Sequence, residues 1–188
     1  MVMVLAGNGS ITGVSSMPTA VTFGSTLATA SQGISSPSLP AGTILQIVNY
    51  STTTATSSTA QIPWDNTIPQ ITEGFELFNL AITPKSATSK LYFNVTFNGY
   101  STVENSAGLV MALFQNGVSN ALATQIFSVI NSNFYSRNLQ YYMTAGTTST
   151  TTFSVRMGNG GAGTTYVNSS TYMGGTMPSS ITIMEIAA

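Results

Sequence analysis

Apolar and polar residues alternate along most of the chain beyond residue 42. The alternation is cleanest at 90–97, where Leu91, Phe93, Val95 and Phe97 are separated by polar or amphipathic side chains. A period of two places successive side chains on opposite faces of an extended segment. This stretch therefore predicts a β-strand with one buried face.

Other segments have compositions that favour strands, with β-branched and aromatic residues between turns that contain Gly, Pro or Asn. They lie at 43–50, 75–82, 109–115, 121–129, 139–144, 151–157, 164–168 and 180–186. Asn116-Gly117, between two of these segments, is a strong hairpin signal. Residues 51–60 are rich in Ser and Thr and fit either a loop or an edge strand, and a helix remains the alternative for 121–130.

About eight short strands at such regular spacing predict an all-β protein, an antiparallel β-sandwich or jelly roll. We assign this domain to residues 43–188. Residues 1–42 mix turn formers with single apolar residues and contain only short strand candidates, at 2–5 and 19–23. We interpret them as an extended N-terminal arm that a neighbouring copy or a partner holds, since so little apolar surface cannot offset the entropy cost of ordering.

Charged residues make up only 5% of the chain, and four basic against five acidic side chains give a net charge of −1. They are Asp65, Glu73, Glu76, Lys85, Lys90, Glu104, Arg137, Arg156 and Glu185. Four cations cannot neutralise a row of phosphates, so we expect no nucleic-acid partner. The chain also has no polybasic segment and no long apolar run, so we expect no membrane partner. Near-zero net charge removes the repulsion between copies, which suits a protein packed in many copies.

The composition also limits the chemistry that the chain can perform. It has neither Cys nor His, which removes disulfides, thiolate metal sites and the usual general base of serine hydrolases. Residues 158–163 match G-x-G-x-x-G, but a strand-like segment follows instead of a helix, which favours a loop. Glu73, Glu76 and Asp65 are the candidates for an acid–base pair or a Ca²⁺ site, although their spacing suggests a surface turn. We therefore predict no catalytic residue, no metal and no cofactor, and a protein that is not an enzyme.

Aromatic residues are the richer signal, because tyrosine combines apolar area with a hydroxyl group and is enriched at protein interfaces. The predicted subunit-interface residues are Tyr135, Tyr141, Tyr142, Tyr166 and Tyr172. Trp64 is the only Trp and lies in a Pro-rich turn, where it either closes the end of a core or offers a stacking platform for a sugar ring.

Several segments, at 42–48, 82–91, 145–156 and 179–187, together resemble a β-sandwich module of tailed-bacteriophage structural proteins. Residues 5–14 also resemble the start of phage fibre and head-decorating proteins. The resemblance covers most of the chain. It implies a homotrimer of jelly rolls on the virion surface, made in the host cytoplasm, and leaves open whether the location is capsid or tail.

The leading hypothesis is a capsid decoration, or cement, subunit. Its partners would be its own copies and a major capsid protein or another virion protein. The arm would contact the capsid or neighbouring subunits through Val2, Val4, Leu5, Ile11 and Val14. The alternative is a tail-fibre tip that recognises a host surface glycan, with Trp64 stacking on the sugar.

Overall fold

The computed structural model describes residues 39–102, 108–128, 133–169 and 171–188. The strand candidates at 2–5 and 19–23, and the arm contacts predicted at Val2, Val4, Leu5, Ile11 and Val14, lie outside these ranges. The described strands are β1 (Ile44–Thr52), β2 (Thr56–Ser58), β3 (Phe75–Ile82), β4 (Lys90–Ser101), β5 (Leu109–Gln115), β6 (Ala123–Phe127), β7 (Tyr135–Thr144), β8 (Thr151–Asn159), β9 (Thr165–Val167) and β10 (Ser179–Ile186). A short 3₁₀ turn at Tyr172–Gly175 separates the last two strands.

The strands pair as one long hairpin folded over on itself. β1 pairs with β10, β2 with β9, β3 with β8, β4 with β7 and β5 with β6, all antiparallel. Two further pairings, β10 with β4 and β8 with β5, join the nested pairs into two sheets. Such nesting is the connectivity of a jelly roll, so the predicted all-β antiparallel sandwich is confirmed.

The two sheets differ in extent. Sheet A contains β1, β10, β4 and β7 side by side. It continues through β9 and β2, because β4 pairs with β10 along residues 90–96 and with β9 at residues 99–101. Sheet B contains β3, β8, β5 and β6 in that order.

The main core lies between the sheets. From sheet A it receives Phe93, Val95 and Phe97, which are fully buried. From sheet B it receives Phe153 and Val155, and the ring of Phe93 meets that of Phe153 edge-on at a centroid distance of 4.7 Å. The alternation at 90–97 therefore marked the buried face correctly.

Strand β5 is buried on both faces, which explains its unbroken apolar sequence LVMALF. Leu109, Met111 and Leu113 face the main core. Val110, Ala112 and Phe114 point the other way and pack with Ile62 in a second apolar cluster. The connection between β2 and β3, which carries Ile62, therefore covers the outer face of sheet B.

The structure decides the points that the sequence left open. Residues 123–127 form a strand, so the helical alternative for this segment is wrong; its backbone groups pair with β5 from Leu109↔Phe127 to Leu113↔Ala123. Residues 51–60 contain the edge strand β2. Strand β7 begins at Tyr135, before the predicted residue 139, because 135–138 extend the ladder with β4.

The turn between β5 and β6 depends on Gly117. Its φ is +88°, a region that L-residues with a side chain rarely adopt, and no atom lies near the position of a Cβ. We expect Gly117→Ala to lower the free energy of unfolding by about 1 kcal/mol, measured by urea denaturation. Gly117→Asn should lose clearly less, because Asn tolerates this conformation. Equal losses in both variants would contradict a conformational cause.

Candidate functional site

The outer face of sheet A carries a row of apolar and aromatic side chains, the apolar row, that crosses its four long strands, β1, β10, β4 and β7. Ile47 lies opposite Met184, Met184 opposite Tyr92, and Tyr92 opposite Tyr142. Ile47 and Tyr142, at the two ends of the row, are 53% and 54% exposed. Side chains paired across strands lie within contact distance on one face, so these four residues form one continuous stripe.

On one side of the apolar row lie two rows that are polar but uncharged, and on its other side lies the row of Ile186, Lys90 and Thr144. Asn49, Thr182, Asn94 and Gln140 form the next row, from β1 to β7. Ser51, Ser180, Thr96 and Asn138 form the row after that. Lys90, whose Nζ donates to Thr144 Oγ1 at 2.7 Å, is the one charged side chain among the paired outward residues of these strands. Nothing on this face repels a neutral protein surface.

Some of the edge strands also lack the charges that usually prevent edge-to-edge pairing. Among the described strands, β1, β2 and β7 lie at edges of sheet A and β3 and β6 at edges of sheet B, and of these β3 carries Glu76 and β7 carries Arg137. The sequences of β1 and β6, ILQIVNYST and ATQIF, contain no charged residue. The unpaired backbone groups of these strands are therefore open to another chain.

A second feature, the aromatic groove, lies where β9 and β2 extend sheet A. Tyr100 and Tyr166 are paired across β4 and β9, and their rings stack at 4.5 Å between centroids with planes 8° apart. Phe134 packs on Tyr100 at 4.9 Å, and Tyr172 meets Phe134 edge-on at 5.2 Å. The four rings line an open groove of about 280 Å³.

Short polar residues complete the groove lining. Thr56, Ser57 and Thr171 belong to this lining, and none of the lining residues that the structure describes is charged. Asn168 and Ser169 hold the surrounding backbone in place. The Asn168 Nδ2 donates to the carbonyl oxygens of Thr52 and Thr54, and Ser169 Oγ accepts hydrogen bonds from the backbone N–H groups of residues 171 and 172.

The phenol of Tyr100 remains protonated at physiological pH. Burial raises its pKa above the ordinary value of 10.0, and the neighbouring phenols of Tyr166 and Tyr172 raise it further. The described lining thus consists of uncharged residue types, several of which can donate and accept hydrogen bonds.

Trp64 lies at a different place. Its indole packs over two glycines, since a Cβ on Gly160 would lie 2.8 Å from Trp64 Cβ and one on Gly108 would lie 3.1 Å from Trp64 Cζ3. The turn that carries it is held by Asp65, whose Oδ1 accepts from the Thr67 N–H and Oγ1 at 2.7 and 2.6 Å. The Thr67 hydroxyl and amide lower the pKa of Asp65. Trp64 remains 43% exposed.

The glycine-rich segment 158–163 has a packing role. A Cβ on Gly158 would lie 2.5 Å from the backbone nitrogen of Ile62, and Gly160 lies beneath Trp64. Strand β8 ends at Asn159, and β9 follows after a loop. The segment that matches G-x-G-x-x-G thus comprises the last two residues of β8 and the start of a loop, and a strand follows it instead of a helix, as the sequence indicated.

The predicted interface tyrosines lie in four different environments. Tyr142 belongs to the apolar row, and Tyr166 and Tyr172 belong to the aromatic groove. Tyr141 faces the core, where its ring lies 6.2 Å from that of Phe93, so its packing partner is within the domain. Tyr135 packs against the guanidinium of Arg137, 4.9 Å from the ring centroid.

The acidic candidates lie in and beside a turn. Glu73 Oε2 accepts from the backbone N–H of Gln70 at 2.9 Å, and Glu76 Oε1 accepts from Asn79 Nδ2 at 3.4 Å. Within the part of the chain that the structure describes, no three acidic side chains come together as a metal site. In those same ranges no helix has the length and apolar character needed to cross a bilayer.

The sequence reasoning missed five residues of these two features: Ile47, Tyr92, Met184, Tyr100 and Phe134. Tyr92 did carry a signal, because it is the aromatic residue on the otherwise polar side of the alternation at 90–97. The others have no local signal, because each depends on the register of a strand distant in sequence.

No protein-family model matches the chain, and no curated protein matches it. Among solved structures, it is similar to dimeric latent PorU from Porphyromonas gingivalis, with 11% identity and a TM-score of 0.42 over 79% of this chain and 14% of that one. It is also similar to VP2 of infectious bursal disease virus in a subviral particle, with 12% identity and a TM-score of 0.35 over 76% of this chain and 38% of that one. The T=1 particle derived from the same virus gives 14% identity and a TM-score of 0.36, over 77% of this chain and 37% of that one.

The chain therefore spans less than two fifths of each of these proteins. At such identities the likeness concerns the β-sandwich alone. Two of the three are structures of particles of one virus, and at TM-scores below 0.5 they carry no conclusion about the role of this chain.

Proposed function

We propose that this protein is a structural subunit of a virus particle that works by packing against copies of itself and against a larger shell. The observation that carries the proposal is the outer face of sheet A, which crosses four strands with an apolar row and almost no charge. An exposed apolar stripe with polar, uncharged flanks is typical of an interaction surface.

The difference between the two sheets supports this proposal. The chain covers the outer face of sheet B with its own residues, through the cluster of Ile62 with Val110 and Phe114. The described residues do not cover the outer face of sheet A in this way, and Ile47 and Tyr142 remain more than half exposed there. A face of this kind gains stability when another protein surface covers it.

The finer proposal is a decoration subunit of the capsid, assembled as a homotrimer. Residues 1–42 would act as an arm that contacts the shell or neighbouring trimers, and repetition over many sites would add avidity. The low charge content supports close packing of many copies, because it leaves little electrostatic repulsion between them.

The first test places a charge in the apolar row. We expect the wild-type protein to form oligomers at micromolar concentration and Ile47→Lys to weaken self-association by about a hundredfold, because an unpaired ammonium would be buried in the interface. Sedimentation equilibrium measures the strength of self-association of the wild type and of the variant. Ile68→Lys is the matched control, since Ile68 is 55% exposed but lies in the connection between β2 and β3. A monomeric wild type, or equal weakening by both substitutions, would contradict the proposed surface.

The second test concerns the arm. Deleting residues 1–42 should abolish binding to particles that lack this protein, as measured by co-sedimentation, while the domain keeps its cooperative unfolding. Undiminished binding of the truncated protein would disprove the arm as the shell contact.

A receptor-binding tip of a tail fibre remains the second candidate, and the aromatic groove is the observation that favours it. Immunogold labelling of intact particles separates the two locations. Labels spread over the head support decoration, and labels restricted to the tail support the tip.

A further inference from the structure

The aromatic groove has the properties of a small-molecule site. It is concave, its volume is about 280 Å³, and four aromatic rings share its lining with hydroxyl groups. Ligand sites combine an apolar or aromatic lining with a few polar groups that orient the ligand. From these features we propose that the groove binds a neutral saccharide, with Tyr166 and Tyr172 as the stacking surfaces.

The lack of charge narrows the ligand class. Among the described residues that line the groove, none is acidic or basic, so none of them would pair with a phosphate, a carboxylate or an ammonium group. Charged ligands would lose their hydration there without compensation. A nucleotide and a charged peptide are therefore poor ligands.

The distribution of polar groups excludes a purely apolar ligand. The hydroxyls of Thr56, Ser57 and Thr171, together with the tyrosine phenols, would be left without hydrogen bonds beneath it. A sugar ring satisfies both requirements, because its C–H faces pack on aromatic rings and its hydroxyl groups both donate and accept hydrogen bonds.

The aromatic groove is also a better candidate for a saccharide site than the surface of Trp64. Trp64 lies over Gly108 and Gly160, so part of its side chain is already packed against the backbone of the domain. Tyr172, by contrast, is 59% exposed, and its described ring contact is the T-shaped one with Phe134. Much of its side chain is therefore accessible to a ligand. This inference holds whichever position on a particle the protein occupies.

The probes are cellohexaose, maltohexaose and chitohexaose, tested on the full chain by saturation-transfer NMR and titration calorimetry. We expect at least one of them to bind at millimolar concentration or below, and Tyr172→Ala to weaken that binding about tenfold through loss of a stacking ring. Tyr166→Phe keeps the ring and removes the hydroxyl, so it should keep most of the affinity.

Trp64→Ala is the matched control and should leave binding unchanged. Circular dichroism checks that each variant is folded. We expect Tyr172→Ala to keep the fold, because the side chain of Tyr172 is exposed. The proposal is overturned if none of the three oligosaccharides binds. It is also overturned if Trp64→Ala weakens binding as much as Tyr172→Ala does, or if adenosine binds in the groove and the sugars do not.

Discussion

Replacing Phe93 by alanine is expected to lower the free energy of unfolding by about 3–5 kcal/mol. The Phe93 side chain is fully buried between the sheets and touches the rings of Phe153 and Tyr141. Its removal leaves a cavity where sheet A meets sheet B, and strands held on both edges cannot move far enough to fill it. Urea denaturation followed by circular dichroism measures the loss.

Tyr92→Ala is the control for this prediction, because Tyr92 is the preceding residue on the same strand and faces outward. It removes a ring of similar size, and the loss in the isolated protein should be far smaller. A loss at Phe93 no larger than that at Tyr92 would contradict the assignment of the core.

The second large effect concerns Glu185, a carboxylate that is fully buried. Its Oε1 accepts hydrogen bonds from the backbone N–H groups of Lys85 and Ser86 and from Ser89 Oγ, and its Oε2 accepts one from Gln46 Nε2. Burial alone raises the pKa of Glu185, but the bonds from Ser89, Gln46, Ser86 and Lys85 outweigh it and hold the pKa below its ordinary value of 4.5. The carboxylate thereby ties β10 and β1 to the connection between β3 and β4.

Glu185→Ala should destabilise the protein by roughly 3 kcal/mol at pH 7, because it leaves several donors without an acceptor. A lowered pKa in the folded state means that the ionised group stabilises the protein at pH values above its ordinary pKa. That stabilisation is lost as the pH falls through the lower pKa of the folded protein. When the pH is lowered from neutral to acidic, the free energy of unfolding of Glu185→Gln should therefore fall by less than that of the wild type.

Chemical denaturation at pH 7 and at several pH values below 4.5 measures both effects. Glu76→Ala serves as the control, since the recorded hydrogen bond of Glu76 is a long one to Asn79, at 3.4 Å. It should change stability by less than about 0.5 kcal/mol. An unchanged pH profile in Glu185→Gln would show that the buried carboxylate is not the titrating group.

Most strands were predictable because their signal is local. At 75–82 and 109–115 the predicted bounds coincide with β3 and β5, since turn residues border compact apolar runs. Where tertiary contacts decide between two local preferences, the sequence left an alternative open, although the strand predicted at 121–129 is confirmed over 123–127. Residues 121–130 have apolar spacing that also suits a helix, and pairing with β5 makes 123–127 a strand.

The interface tyrosines show the limit of composition as evidence. Tyr141 and Tyr142 are adjacent and chemically identical, yet one packs against the core and the other is 54% exposed. Alternation along β7 separates them, and only the pairing of β7 with β4 decides which face is buried. The frequency of tyrosine in the sequence therefore cannot tell which tyrosines face the core and which remain exposed.

The sequence by itself determined the all-β class, the faces of the central strand and the scarcity of charge, because each is a property of neighbouring residues or of composition. Only the tertiary structure decided the apolar row and the aromatic groove. Ile47 and Met184, like Tyr100 and Tyr166, meet through the register of strands that are far apart in the chain. Register depends on the backbone pairing of the whole sandwich, because a slip of one residue would turn every side chain of a strand to the opposite face.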